Sequence, residues 1–212
     1  MLHSQSMYQN ILHLVTIVPV FFIALSFHEF AHGIVATMFG DPTPRDEGRL
    51  TLNPFAHINW MGLLFLVIFR FGWANPVPFN SSYFKHKRFY TLLTAMAGPV
   101  TNFLLALIGM FCAAYSAKLG LSGLTLHWVL YFLTIFIDIN IILGVFNLIP
   151  IPPLDGSHLL RVFAPDPDAA WIGMIEQYSI FFFLMIVMIP SLQRGLLWLV
   201  IKTKLLLSLL VF

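Results

Sequence analysis

Cysteine is almost missing: Cys112 stands alone in 212 residues. One thiol makes no internal disulfide and no thiolate cluster for a metal. In its apolar run it reads as a small buried hydrophobe. Charge is scarce as well. Asp, Glu, Lys and Arg supply 9% of the chain, where an ordinary soluble domain carries about 25%. The net charge is +2, and no basic cluster interleaved with aromatics offers a surface for nucleic acid. Internal repeats and low-complexity linkers are missing, and so is the short basic-then-apolar pattern of a cleavable leader.

What fills the chain is apolar side chain, at 59% of residues. Several runs approach the roughly 20 apolar residues that cross a bilayer. A soluble protein of this size could not hide so much apolar surface. The expectation is an all-α multi-pass membrane protein with about five or six transmembrane helices, forming one domain over residues 1–212. Spans are read at about 11–39, 91–117, 127–149, 172–189 and 196–212. The last is interrupted by Lys202 and Lys204, so it either crosses, lies in the interface or snorkels its lysines outward.

Between the first two full spans the pattern changes. Gly40, Asp41, Pro42 and Pro44 stop a helix. A polar stretch follows, with a short strand-like piece at Leu50 to Asn53. Met61 to Phe71 is apolar but short, and Trp73 to Asn80 contains Pro76 and Pro78, a spacing no helix interior accepts. If the end of the first span is cytoplasmic, Arg45, Arg49, Lys85, Lys87, Arg88 and Arg161 lie inside and Lys118 and Arg194 outside, as the positive-inside rule asks. Residues 61–80 must then dip into the membrane and return as a re-entrant loop or β-hairpin. Non-helical backbone at that depth is tolerated where protein covers it or where it lines a wet cavity.

The first span carries His28-Glu29-Phe30-Ala31-His32, an H-E-x-x-H sequence. Four residues apart on a helix is one face, so two imidazoles can hold one metal ion with the glutamate beside its water. Three ionisable groups in one turn of an apolar span cost about 2.5–3.5 kcal/mol each on insertion scales and call for a compensating role. A catalytic zinc takes a third protein ligand and keeps one position open. Asp155, in Asn147-Leu148-Ile149-Pro150-Ile151-Pro152-Pro153-Leu154-Asp155-Gly156, ends an apolar span on the same side of the membrane and is the candidate. A helix-capping aspartate is the plainer alternative, and His158 is a rival ligand three residues on.

H-E-F-A-H in a span, then Gly98-Pro99-Val100-Thr101-Asn102, then N-x-x-P-x-P-P-L-D-G occur in an order that resembles the site-2 protease family of intramembrane zinc metalloproteases. Asn53 to His57 and Trp73 to Asn80 also resemble segments of its short bacterial and archaeal members, in which the latter is a membrane-embedded hairpin. The resemblance implies one zinc per chain on His28, His32 and Asp155, and Glu29 as the catalytic carboxylate. It implies Asn147 near the scissile carbonyl and Asn102 in contact with substrate backbone. Asn75 departs from the pattern, since a basic residue often precedes Pro-Val-Pro. No PDZ or CBS segment is read in these residues.

On this reading the partners are transmembrane proteins or peptides and the lipid bilayer, and the location is a prokaryotic cell membrane. A helical substrate must unwind before its peptide bonds are reachable, and unwound backbone in lipid needs new partners. Asn75, Pro76, Val77 and Pro78, or Leu50 to Asn53, are candidate edges for strand addition. Two other readings use the same ligands: a membrane metal transporter, for which inverted repeats would be expected, and a catalytically inactive scaffold, which would not need Glu29. Aspartyl and serine intramembrane chemistry is disfavoured, because neither a G-x-G-D nor a G-x-S-x-G context is present.

Overall fold

A computed structural model describes residues 2–62, 64, 75–116, 118–166 and 169–211, with side chains from Ile11 onward. Its elements are helical. α1 spans Leu2–Met38 and α2 Thr43–Asp46; 3-10 turns follow at Pro54–Ala56 and Ser81–Tyr83. α3 spans Lys87–Ser116, α4 Gly123–Asn147, α5 Ser157–Phe163, α6 Ala170–Gln177, α7 Ser179–Met188 and α8 Pro190–Ser208.

Three helices are long and apolar enough to cross a membrane: Ile11–Met38 of α1, Lys87–Ser116 and Gly123–Asn147. A fourth span exists if α6 and α7, bent by 59° at their junction, count as one. The expected five or six spans therefore reduce to three or four among the described residues. The helix left out of that number is α8, whose charge content exceeds what the other candidate spans carry. It carries Arg194, Lys202 and Lys204, and Lys204 reaches Asp138 of α4 at 2.5 Å, while the Lys202 ammonium lies 5.7 Å from the Trp198 ring centre. Most of Met61 to Phe71, with Trp73 and Ala74, falls outside the described residues, and so does most of the expected dip.

α3 is the central helix and packs against α1 and α4. It approaches α4 closely because Gly144 has no side chain: a Cβ there would lie 2.5 Å from the Phe103 ring. Small residues at such contacts let membrane helices approach closely. The core beside this contact joins Ala106 and Met110 to Ile137, Ile141, Val145 and Val200. Large apolar side chains such as Leu14, Val15, Leu104, Ile108 and Ile142 face outward, as lipid solvent permits. Cys112 also faces outward rather than being buried; in a span, the outer face is no less apolar than the core.

The strand expected at Leu50 to Asn53 does not form. Its amides are satisfied locally: Thr51 N–H donates to the Arg49 carbonyl and Asn53 N–H to the Thr51 hydroxyl, which leaves no regular ladder edge. Residues 75–80 run without regular secondary structure. They are tied down at several points. Asn75 N–H donates to the His57 carbonyl at 2.9 Å, and Asn80 N–H to buried Asp41 at 2.6 Å. Arg49 donates to the carbonyls of Ala56 and Pro76. His57, fully buried, donates to the Thr51 carbonyl, so the segment Asn53 to His57 props this loop from behind.

Candidate metal centre

His28 and His32 sit one turn apart on α1, and both are buried. Their Nε2 atoms lie 3.0 Å apart. Asp155 Oδ2 comes to 2.9 Å from His28 Nε2 and 3.2 Å from His32 Nε2. Among the described residues these three form the one group of ligand type drawn this closely together. His158 is not in it. The loop after α4 brings Asp155 in, because its chain folds back on the helix end: Gly156 N–H donates to the Asn147 carbonyl at 2.6 Å. A Cβ on Gly156 would meet the Leu148 carbonyl at 2.4 Å, which explains the glycine after the aspartate.

The tautomers follow from the partners on the far side of each ring. His28 Nδ1 lies 2.6 Å from Asn102 Oδ1, and His32 Nδ1 lies 2.7 Å from the Thr94 carbonyl. Both oxygens only accept, so both Nδ1 atoms carry the hydrogen and both Nε2 atoms present a lone pair. Two nitrogen lone pairs and a carboxylate oxygen thus converge with no hydrogen assigned between them. Asp155 Oδ2 is buried without a hydrogen-bond partner. Such a cluster calls for a cation. Ligand atoms about 2.0–2.1 Å from a tetrahedral zinc stand roughly 3.3 Å apart, close to the observed spacings. The donor set fits zinc.

Glycine 98 makes this packing possible. A Cβ there would lie 2.4 Å from His32 Nε2 and 2.5 Å from His28 Nε2. The G-P-x-x-N sequence thus does two jobs on α3: Gly98 admits the imidazole pair, and Asn102 one turn later bonds His28.

Glu29 lies beside this centre, with Oε2 accepting from Val77 N–H at 2.7 Å. Glu29, His32 and Asp155 open onto a cavity of about 990 Å³. Pro76, Val77 and Pro78 line it from the loop, Pro152 and Pro153 from the other side; Lys87 and Arg88 add positive charge to its wall, where Arg161 is paired with Glu176. His158 also lines it, with its ring 5.2 Å from that of Phe79. Burial pushes the His158 imidazole below its ordinary value of 6.5.

Three of the candidate site residues have side-chain partners of their own. Asn102 is fully buried and turned to His28, away from the cavity. Asn147 donates its amide to the Leu143 carbonyl of its own helix at 3.0 Å. Asn75 bonds Asn59 and the Ile58 carbonyl behind the loop. The loop is also a poor ladder donor. Pro76 and Pro78 have no N–H, and those of Asn75, Val77 and Asn80 are taken. Asn140, which no sequence motif singles out, also joins this network: it is fully buried and bonded to Asn102 at 2.9 Å.

Comparison with known proteins gives the chain a family. The signature of Peptidase family M50 matches residues 122–188. The YwhC protein of Bacillus subtilis, described as a zinc metalloprotease, is 37% identical over 170 residues, covering 79% of this chain and 78% of its own. The chain belongs to peptidase family M50. As a member of this site-2 protease family it is a metalloendopeptidase. The Rip2 proteins of Mycobacterium tuberculosis and Mycolicibacterium smegmatis, likewise described as zinc metalloproteases, are 28% and 27% identical over 187 and 180 residues. They match over 84% and 81% of the M50 chain and 69% and 66% of their own. No solved structure gives a significant match.

Proposed function

We propose that this M50 metalloendopeptidase holds one zinc ion on His28, His32 and Asp155 and hydrolyses peptide bonds in or beside transmembrane segments of other membrane proteins. Residues 1–212 act as one catalytic domain in the cell membrane. The observation that carries the reading is the convergence of two imidazole lone pairs and a carboxylate oxygen next to Glu29, on a helix apolar enough to span a bilayer. His32 and His28 lie six and ten residues from Met38, so the centre sits about 9–15 Å inside that end of the helix. A site at that depth meets substrates already in the membrane, as in regulated intramembrane proteolysis.

Zinc supplies Lewis acidity there, making water a better acid and a peptide carbonyl a better electrophile. Glu29 takes the proton from the attacking water and returns it to the leaving amine. Asp155 and the two histidines present their donor atoms in fixed positions, because Asn102 and the Thr94 carbonyl orient the rings. Asn147 is the candidate donor to the developing oxyanion. Its amide must leave the Leu143 carbonyl to act, and losing such a donor typically costs about 10²–10³ in rate. Pro76, Val77 and Pro78 contact the unwound substrate. Since these residues have no free amide, the substrate backbone donates to loop carbonyls.

The deciding experiment measures metal content and cleavage of a membrane-embedded substrate in liposomes. Wild type should hold about one zinc and cut. Glu29→Gln should keep zinc and lose turnover, and Asp155→Ala should lose zinc. A Glu29→Gln variant that matches wild type across several substrates would instead favour a transporter or scaffold.

A further inference from the structure

We propose that Asn140 of α4 is a positioning residue for the metal centre: through Asn102 it fixes which ring nitrogen of His28 carries the hydrogen. The inference rests on the reading of His28 as a metal ligand. It starts from a main-chain atom. The Asn140 side-chain nitrogen donates to the Phe136 carbonyl at 2.9 Å. A carbonyl only accepts, so the amide nitrogen must lie there and Oδ1 must face α3. There it accepts from Asn102 Nδ2 at 2.9 Å. Asn102 Nδ2 also donates to the Ala24 carbonyl at 3.2 Å. With its nitrogen so occupied, Asn102 can offer only its oxygen to His28 Nδ1, 2.6 Å away. His28 Nδ1 is then the protonated nitrogen, and Nε2 keeps the lone pair a metal needs.

Both asparagines are fully buried, so water does not substitute for either partner. If the Asn102 amide flipped, its oxygen would face two other oxygens, and its nitrogen would face His28 Nδ1. That would favour the other tautomer, with a hydrogen on Nε2 aimed at the metal position. The Ala24 carbonyl opposes the flip as well, but it is the longer contact and already belongs to the α1 hydrogen-bond ladder. Asn140 is therefore a member of the site although it touches neither metal nor cavity. It joins α1, α3 and α4 in one buried polar chain, and partly satisfied chains of this kind are costly.

The test uses the full-length protein in detergent and reads zinc affinity by competition with a chelator, so it needs no substrate. Asn140→Leu removes the acceptor. It should weaken zinc binding by about tenfold or more, the range for outer-sphere partners of ligating histidines. Asn140→Asp keeps an acceptor toward Asn102 and should stay near wild type. Asn102→Asp placed on the Asn140→Leu background should restore affinity, because a carboxylate can only accept from His28 Nδ1. Rescue by a buried charge is not what lost helix packing predicts. Where Asn140→Leu does not fold, Asn140→Ala carries the same expectation and the same rescue. Unchanged affinity in the Leu or Ala variant overturns the proposal, as does an Asp variant as weak as Leu or a failed rescue. A wild type that binds zinc without cutting would remove the proteolytic reading and leave this one standing. A wild type that binds no metal would overturn both.

Discussion

Gly98 lacks a side chain because two imidazoles occupy the space where one would be. Backbone atoms on α3 and buried rings on α1 cannot both yield, so Gly98→Ala should lower zinc affinity by about tenfold or more while the protein still inserts. Metal content after dialysis against a weak chelator reads this directly. His158 makes a different prediction. Its folded value is depressed below 6.5 by burial, so the unfolded chain binds a proton more readily. The sign follows: stability falls as pH drops through about 6.5 and below, because protons favour the unfolded state. His158→Gln should flatten that slope in thermal unfolding curves recorded across pH 5–8 in detergent. A slope that persists unchanged would place the titrating group elsewhere.

The loop 75–80 is an element held by carboxylates rather than by a sheet. Glu29 takes the amide of Val77, and Asp41 takes those of Asn80 and Thr43 with the Thr43 hydroxyl. Asp41→Ala removes the partner of these partly buried donors, at a cost of about 0.5–1.5 kcal/mol per hydrogen bond. Hydrogen exchange should then quicken at Asn80 and its neighbours, with α1 unaffected. If exchange there is unchanged, the carboxylate does not anchor the loop. On the proposed mechanism, a peptide that drew Val77 away from Glu29 would also free the base. α3 and α4 depend on another local feature, the Gly144 face against Phe103. Prolines at 76 and 78 made a non-helical loop legible from the sequence. Its carboxylate anchors were not, since Asp41 and Asn80 are 39 residues apart.

At the scale of the whole molecule, one centre joins α1, α3 and the loop after α4, so metal and fold should be linked. A ligand bound only by the folded state stabilises it by about 2.7 kcal/mol at a hundredfold excess over Kd. Chelation should therefore lower the unfolding temperature of wild type and leave Asp155→Ala unchanged. Equal shifts in both would mean the metal acts elsewhere. The ion pair of Lys204 with Asp138, half-exposed on both sides, contributes to how α8 lies on α4 rather than to the centre.

The sequence by itself determined the solvent, the helical class and the ligand triad's candidates. Apolar run length, helix stops and H-E-x-x-H spacing are local properties of the chain, and each has a direct physical reading. The order of three motifs pointed to the family that the comparisons bear out. The number of spans was less legible, because α8 mixes apolar residues with Arg194, Lys202 and Lys204, and Lys204 pairs with Asp138 of α4. What only the tertiary structure decided is how the triad is held. Whether Asn102 faces substrate or His28, whether Asn140 is packing or part of the centre, and why position 98 must be glycine depend on helix rotation and on contacts across 38 to 78 residues of chain. A hydrogen bond of that kind has no period and no spacing, so it leaves no trace in the order of the residues.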